Sequence, residues 1–344
     1  MRVKTQAVNA KTNGRLWALS VVAALCVASF SSAQAQEKKT LRVIFVSTSW
    51  NSEIPFRVAL AKGFFKAQGL EIEPIFVRGG PTAMAAMASG QVDFASIGGA
   101  QAVIRSKARG LDVAIIGSIS NATNYQLLGN KETRTLEDLK GKIVGVTGAG
   151  SFSDFAMRTF LRKQNINPEK DVALRAIGGT VLRAAALEKG LVSAAPFSPE
   201  DAVRLMREGY PLIANLAQSL DIPQSIIVGR NEMMEKNPET TKRFLKALVL
   251  GVNLARNNKK ETIKAGYEAG LKGNPDIVSA AWDLYSPALS PNLSIPVAGI
   301  QAILDEDIKS GAVESKFTVD RVIDDRYLKK AQEELRAEGR LAVK

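Results

Sequence analysis

Short polar and glycine-rich segments follow several apolar stretches of this chain, and they are the residues best suited to bind a ligand. Hydroxyl groups and glycine amides donate hydrogen bonds, and at helix N-termini they hold anions without a buried counter-charge. In open α/β sheets, ligands lie beyond the carboxyl ends of the strands, so these segments are expected to share one edge. They are residues 47–51, 78–82, 96–99, 148–153, 178–180 and 196–199.

The candidate ligand-binding residues all come from these six segments. Trp50 is suited to stack on a ligand and donate one hydrogen bond, with packing beneath its loop as the alternative. Phe152 and Phe197 are candidates for apolar walls, with core packing again the alternative. The full set is Ser49, Trp50, Asn51, Gly80, Thr82, Ser96, Gly98, Gly150, Ser151, Phe152, Ser153, Gly179, Thr180 and Phe197.

Two choices stay open at these positions. Ser151 and Ser153 precede an apolar helical stretch, so either hydroxyl would contact a ligand or cap that helix. Arg78 would either pair with an anionic group through its guanidinium or lie at the surface.

The amino-acid composition argues against a catalytic or metal-binding function. The chain has no His, and its single Cys is Cys26, which excludes Ser-His-Asp and Cys-His nucleophiles and any His-ligated metal. The candidate segments contain no paired carboxylates and no phosphate-loop lysine. We therefore expect no catalytic residue, no metal and no cofactor.

The first 35 residues differ from the rest of the chain. Arg2, Lys4, Lys11 and Arg15 precede an apolar run, and Ala33-Gln34-Ala35 follows it. A basic region, a short apolar region and small residues at an A-x-A site are typical of a cleaved secretory signal. We predict cleavage near Ala35 and a periplasmic product of 309 residues with a net charge of +8, the alternative being an uncleaved membrane anchor.

Length and charge suggest two globular domains without a nucleic-acid partner. The whole chain has 344 residues, about two domains, and its 46% hydrophobic and 23% charged residues are an ordinary globular balance. The basic residues are dispersed, which favours a solvated surface over a docking patch for nucleic acid.

Strands and helices alternate along the mature chain. Apolar strands at 41–46, 70–77 and 92–97 alternate with helical stretches at 55–68 and between Pro81 and Gly90. This alternation predicts an α/β fold built from parallel strand-helix-strand units.

The second half of the chain repeats this plan. Ile177-Gly178-Gly179-Thr180 parallels 78–82, and Gly90 and Val92 have counterparts in Gly190 and Val192. The repeat favours two related lobes. Two crossings are expected at 119–125 and 220–225, which gives lobe 1 as 36–122 with 226–344 and lobe 2 as 123–225. The tail of lobe 1 reads as helices that begin at a capping Asn237 and continue at 261–271, 276–285, 297–310 and 325–338.

Several of these segments together resemble a known family. Residues 46–50, 55–69, 87–95 and 136–146 are similar to the periplasmic solute-binding proteins of ABC importers, in the branch that imports sulfonates, nitrate or thiamine precursors. The resemblance implies the type 2 periplasmic-binding fold, with two Rossmann-like lobes, a two-crossing hinge and a ligand in the cleft between them. It also implies a monomer that delivers its ligand to an inner-membrane ABC permease.

The function expected from these observations is an exported receptor for a small, anionic organic ligand such as a sulfonate or a carboxylate. The alternatives are an enzyme similar to the thiamine-pyrimidine synthases on the same scaffold and the binding protein of a secondary transporter. The ligand-sensing part of a transcription regulator is disfavoured by the signal segment. A neutral aromatic or pyrimidine ligand stays open.

Overall fold

The computed structural model describes residues 39–47 and 53–341, and within them ten strands form two five-stranded sheets. The predicted signal segment at 1–35 and the candidates Ser49, Trp50 and Asn51 lie outside the described residues. In chain order the strands are β1 Lys39–Phe45, β2 Leu70–Phe76, β3 Phe94–Gly98, β4 Val113–Ser120, β5 Gln126–Gly129, β6 Ile143–Val146, β7 Ala173–Ala176, β8 Ala194–Phe197, β9 Leu212–Asn215 and β10 Ser225–Arg230.

The two sheets have the same topology. The first has the order β2-β1-β3-β10-β4 and the second has the order β7-β6-β8-β5-β9. The Gly-Gly segments at 78–82 and 178–180 each connect an edge strand, β2 or β7, to a helix. The internal repeat predicted from those segments is thereby confirmed at the level of topology.

One strand in each sheet departs from the predicted parallel arrangement. Strands β1, β2 and β3 pair in parallel, as do β6, β7 and β8. In contrast, β10 runs antiparallel between β3 and β4, and β5 runs antiparallel between β8 and β9. Both strands enter from the other sheet through the connections 121–125 and 216–224, so no crossover helix within one sheet fixes their direction.

The helices follow the predicted plan closely, with one division. The single helix expected at 55–68 is split at Gly63, whose φ of 68° is a left-handed conformation that ends one helix before the next begins. In chain order the helices are α1 Ile54–Ala61, α2 Phe64–Ala67, α3 Gly80–Ala88, α4 Gln101–Ala108, α5 Phe152–Lys163, α6 Thr180–Glu188, α7 Pro199–Arg207, α8 Asn231–Lys236, α9 Pro238–Asn257, α10 Lys259–Glu268, α11 Pro275–Tyr285, α12 Val297–Lys309 and α13 Arg326–Ala337.

The predicted cap at Asn237 is wrong. Asn237 does precede α9, but its side-chain amide donates to the Met233 carbonyl at 3.1 Å and accepts no bond from the start of α9. The side chain of Asn237 therefore bonds to the preceding helix, α8, which ends at Lys236.

Helix α9 packs against the first sheet through stacked aromatic rings. The rings of Phe94 and Phe244 are 4.2 Å apart and nearly parallel, with an interplanar angle of 5°. Phe56 and Phe65 extend this cluster towards α1 and α2. A β-carbon at Gly251 would lie 2.4 Å from the Pro55 carbonyl oxygen, so this glycine allows α9 to approach α1 closely.

The second sheet has its own apolar core on the side of α6 and α7, which includes Leu187, Phe197 and Leu205. Among the helices that the structure describes, none has both the length and the apolar composition to cross a bilayer.

Candidate ligand-binding site

A cavity of about 350 Å³ lies between the two sheets. Its lining comes from both, because the segments that follow β2 and β3 face those that follow β6, β7 and β8. The connections between the sheets contribute Asn124, Tyr125 and Gln224. The cavity is within the size range of small-molecule sites.

Helices α3, α5 and α6 begin at this cavity. Gly80 starts α3, Ser151 and Phe152 start α5, and Gly179 and Thr180 start α6, and all five residues line the cavity. The first amides of a helix have no partner within the helix, and the helix dipole favours negative charge at that end. The three N-termini therefore give the cavity a preference for anionic or oxygen-rich groups.

The start of α5 is fixed by its own side chains. Ser151 Oγ accepts a bond from the Asp154 amide at 3.4 Å, and Asp154 Oδ2 accepts one from the Gly150 amide at 2.9 Å. Ser153 Oγ accepts from the Thr147 amide at 2.8 Å and donates to Thr147 Oγ1 at 3.0 Å. Ser151 therefore caps α5, which is one of the two roles that the sequence left open for it. It also lines the cavity.

Replacing Ser151 separates capping from ligand contact. S151A is expected to lower the free energy of unfolding by about 1 kcal/mol, whereas S151G is expected to lower it by only a few tenths, because glycine is an acceptable N-cap. Urea unfolding of both variants measures the difference. Equal destabilisation by the two substitutions would contradict a capping role, and a loss of ligand affinity common to both would reveal a contact through the hydroxyl.

Arg183 is the central cation of the site, and the sequence analysis did not identify it. It lines the cavity and is only 1% exposed. Its Nε donates to the Pro196 carbonyl at 3.1 Å, and Nη1 donates to Thr147 Oγ1 at 2.7 Å and to the Gly178 carbonyl at 2.9 Å. These bonds join the segments that follow β6 and β7 to strand β8. Burial lowers the pKa of Arg183, but an arginine stays protonated in proteins at neutral pH.

A signal for Arg183 was present in the sequence. It stands on a helix among Ala184, Ala186 and Leu187, one turn after the Gly-Gly-Thr segment. A lone arginine on an apolar helix face near a glycine turn is a candidate for a buried cation.

Glu53 and Tyr285 line the same cavity from the side of the first sheet. Glu53 is 2% exposed, and its Oε2 accepts a bond from Ser96 Oγ at 3.1 Å. Burial raises the pKa of Glu53 to about 8, against the lowering effects of Ser96 and of the Arg57 charge. Among the described residues that line the cavity, Glu53 is the only carboxyl, so the lining carries little negative charge at neutral pH.

Apolar side chains form the remaining walls and the mouth. The rings of Phe152 and Tyr125 are 5.7 Å apart. Phe76, Val181 and Leu182 also line the cavity although they are 52%, 64% and 46% exposed. Such exposed apolar residues around one opening are typical of a surface that a ligand covers.

The start of α5 packs closely against the end of β3. A β-carbon at Gly98 would lie 3.0 Å from Phe152 Cβ, and one at Gly99 would lie 2.3 Å from a carbon of the Phe152 ring. Gly99 has a φ of 68°, and its amide donates to the Gln224 carbonyl at 2.9 Å. Two glycines of the predicted segment 96–99 therefore allow the two sheets to approach each other here.

The structure brings half of the predicted candidates to the cavity. Those that line it share a position at the end of a strand or at the start of a helix. They are Gly80, Gly98, Ser151, Phe152, Ser153, Gly179 and Thr180.

The other described candidates lie elsewhere. Ser96 lies behind the lining and donates to Glu53, and the Gly150 amide donates to Asp154. Thr82 is exposed in the first turn of α3 and does not line the cavity. Phe197 is fully buried in the core of the second sheet, as the alternative had it. Arg78 is exposed and also lines the cavity.

The site also contains residues that local patterns do not mark. Gln224 Oε1 accepts bonds from Thr123 Oγ1 at 2.9 Å and from the Asn124 amide at 2.6 Å. These bonds join the two connections between the sheets at the cavity itself. Among the described residues, no group of three or more Cys, Asp or Glu side chains is arranged to hold a metal ion.

Two α/β sheets of equal topology with a ligand-sized cavity between them define the periplasmic binding protein fold. The alkanesulfonate-binding protein SsuA from Xanthomonas axonopodis pv. citri, solved with bound MOPS, is similar over 84% of this chain and 99% of its own, with a TM-score of 0.70 and 19% identity. The periplasmic nitrate-binding protein NrtA from Synechocystis PCC 6803 is similar over 89% of this chain and 91% of its own, with a TM-score of 0.68 and 16% identity.

The chain belongs to the NMT1/THI5-like family, whose model matches residues 50–262. A protein of Brucella abortus that carries a binding-protein name is 24% identical over 230 residues, which is 65% of this chain and 69% of that protein. The yeast 4-amino-5-hydroxymethyl-2-methylpyrimidine phosphate synthase THI13 is 27% identical over 215 residues, or 57% of this chain and 61% of that protein. The fold class and the family resemblance predicted from the sequence are confirmed.

Proposed function

We propose that this protein is an exported receptor that binds a small organic anion between its two sheets and delivers it to an inner-membrane ABC permease. The observation that carries the proposal is the cavity where three helix N-termini and the buried Arg183 meet. A ligand that contacts both sheets favours the closed arrangement, and the connections 121–125 and 216–224 act as the hinge. We place the lobes at 36–122 with 226–344 and at 123–225.

An anionic ligand is supported by the charge balance of the lining. Arg183 is protonated, while Glu53 holds its proton at neutral pH because burial raises its pKa to about 8. The charge of Arg183 interacts with Asp201, which lies outside the lining, so an anionic ligand would add negative charge beside Arg183 inside the cavity itself, whereas a cationic ligand would be repelled. A sulfonate or a carboxylate supplies that charge together with several acceptor oxygens.

An organic ligand, rather than an inorganic anion, is supported by the apolar part of the lining. Phe152 and Tyr125 form an aromatic wall, and Phe76, Val181 and Leu182 surround the opening. Covering these side chains stabilises the complex by about 25 cal/mol for each Å² of apolar surface removed from water. Nitrate could not cover them, whereas an aryl or alkyl group could.

Thermal unfolding with a panel of probes tests this function. The panel is benzenesulfonate, benzoate, methanesulfonate, nitrate and a neutral aminopyrimidine, added to the exported protein after unfolding and refolding to remove any carried ligand. An aromatic anion at about 100 times its Kd should add ~2.7 kcal/mol and raise Tm by several degrees. No shift with any anion would overturn the proposal, and a shift with the aminopyrimidine alone would replace the anion by a neutral ligand.

A synthase activity like that of the yeast relatives is the second candidate, supported by their sequence similarity. Binding is favoured over catalysis because the chain has no His and its only Cys is Cys26, in the predicted signal segment. After prolonged incubation, the bound probe should be recovered unchanged by mass spectrometry. A chemically altered product would favour the enzyme.

Export and delivery have tests of their own. The N-terminal sequence of the protein isolated from the periplasm should start after Ala35, and its mass should be that of a monomer. Uptake of the ligand by cells should stop when ATP is depleted. Loss of uptake on collapse of the ion gradient, with ATP maintained, would instead indicate a secondary transporter.

A further inference from the structure

Glu53 and Tyr285 form an unusual pair of buried hydroxyl-bearing groups in the cavity lining. Glu53 is 2% exposed and Tyr285 is 1% exposed, yet both line the cavity. Burial raises the pKa of Tyr285 well above its ordinary value, and a negative charge on Glu53 would raise it further. Both groups are therefore available as neutral O–H donors near pH 7.

The contacts that Glu53 and Tyr285 make within the protein leave both O–H groups able to donate to a ligand atom. The Tyr285 hydroxyl has no hydrogen-bond partner among the described residues. Glu53 accepts a hydrogen bond from Ser96, and that bond does not use the proton of the Glu53 carboxyl group. A buried hydroxyl without a partner is unfavourable by about 1–3 kcal/mol. A ligand oxygen placed against Tyr285 would remove that penalty.

The charged and titratable groups around Glu53 are few. Arg57 lies one turn further along α1 and favours the ionised form of Glu53, and Tyr285, at the end of α11, lines the same cavity. Arg78 and Arg183 are the other charged residues of the described lining. Burial nevertheless outweighs the effect of Arg57, so the protonated carboxyl is the stable form in the empty cavity at neutral pH.

We propose that the carboxylic acid of Glu53 and the phenol of Tyr285 together donate hydrogen bonds to one anionic oxygen of the ligand, and that the receptor holds its anion only while Glu53 is protonated. The inference rests on the proposed function, and it makes Glu53 a specificity-determining residue of that site. At a pH below the pKa of Glu53, binding of the anion takes up no proton. At a pH above that pKa, Glu53 takes up one proton with each anion bound, since an ionised Glu53 would repel the ligand.

The first test needs no ligand. Infrared difference spectra of the full protein against E53Q at pH 6 should contain the C=O stretching band of a buried carboxylic acid, and the band should disappear by pH 9. E132Q, which removes an exposed carboxylate, is the matched control and should show no such band. The absence of a carboxylic acid band in the protein at pH 6 would overturn the inference.

The second test measures affinity against pH with benzenesulfonate, a probe that does not itself titrate in this range. Because Glu53 titrates near pH 8, the affinity should fall about tenfold from pH 6 to pH 9. E53Q keeps a donor in the same shape, so its affinity should stay nearly constant and exceed that of the natural protein at pH 9. Y285F should weaken binding about tenfold at both pH values. E132Q should follow the natural protein.

The outcomes separate this inference from the function on which it rests. Binding of benzenesulfonate with a flat pH profile, or the same pH dependence in E53Q, would overturn the donor role of Glu53 and leave the anion receptor intact. Failure of benzenesulfonate to bind the protein, E53Q and E132Q at either pH would overturn the receptor for an aromatic anion, and the inference with it.

Discussion

Replacing Arg183 by methionine is expected to lower the affinity for benzenesulfonate by at least about 100-fold. Removing one member of a buried, hydrogen-bonded charge pair typically lowers affinity by 2–5 kcal/mol, and about 2.7 kcal/mol corresponds to 100-fold. Arg183 is the buried cation of the described lining, and its guanidinium is already oriented by three hydrogen bonds. Methionine keeps the side-chain volume while removing both the charge and the donors. Isothermal titration calorimetry measures the loss.

The same substitution has a structural consequence that must be measured separately. Without Arg183, the carbonyls of Pro196 and Gly178 lose their donor, and unsatisfied buried acceptors lower the free energy of unfolding by about 3 kcal/mol in total. Urea unfolding of R183M determines this value, and affinity is then compared under conditions where the variant is fully folded.

R175M is the matched control, because Arg175 is an exposed arginine on β7 of the same sheet. It removes one positive charge from the protein without changing the cavity. Equal affinities of R183M and R175M would show that the net charge, and not a guanidinium in the site, attracts the anion. R183K should bind with intermediate affinity, since it retains the charge but loses the planar fork of donors.

Replacing Gly99 by alanine is expected to lower the free energy of unfolding by about 3 kcal/mol. About 1 kcal/mol arises from an L side chain in the left-handed conformation at φ 68°, and the remainder from overlap of the new methyl group with the Phe152 ring and with Gln101 Oε1, each at 2.3 Å. The ring would have to move away from β3, which displaces one wall of the cavity. Affinity for benzenesulfonate should therefore fall as well, by about tenfold.

G190A isolates the steric contribution in this experiment. Gly190 has the same φ of 68°, but a β-carbon there would meet no atom within 4 Å. G190A should therefore lower stability by only the backbone contribution of about 1 kcal/mol and leave affinity unchanged. If G99A were no more destabilising than G190A, the close approach of α5 to the first sheet would not exist in solution.

The sequence by itself determined the local elements and the plan of the fold. Alternation of apolar strands with amphipathic helices reflects local periodicity, and the tail helices at 297–310 and 325–338 correspond to Val297–Lys309 and Arg326–Ala337 within a residue. The paired Gly-Gly segments indicated two sheets of equal topology, which the strand orders confirm. The segments that follow the strands could be assigned to one edge of the sheet, because the carboxyl ends of parallel strands all lie on the same side.

Only the tertiary structure decided which side chains of those segments line the cavity. Thr82 and Thr180 each follow a Gly-Gly turn, yet Thr180 is the first residue of α6 and lines the cavity, whereas Thr82 is the third residue of α3 and is exposed. Phe197 ends β8 in the core, since successive residues of a strand face opposite sides of its sheet. Such differences of one or two positions depend on how each helix is rotated against its sheet, which local patterns do not encode.

The electrostatics of the site were likewise decided by contacts between distant parts of the chain. Glu53, at the start of α1, keeps its proton because it is buried, and it accepts a hydrogen bond from Ser96 on β3. Tyr285 comes to the lining of the same cavity from a tail helix. Arg183 is held by a hydroxyl and a carbonyl from the connections after β6 and β7 and by a carbonyl of β8. A residue's identity sets its ordinary pKa and its donors. Burial, which the folded chain alone supplies, sets the charge that it presents to a ligand.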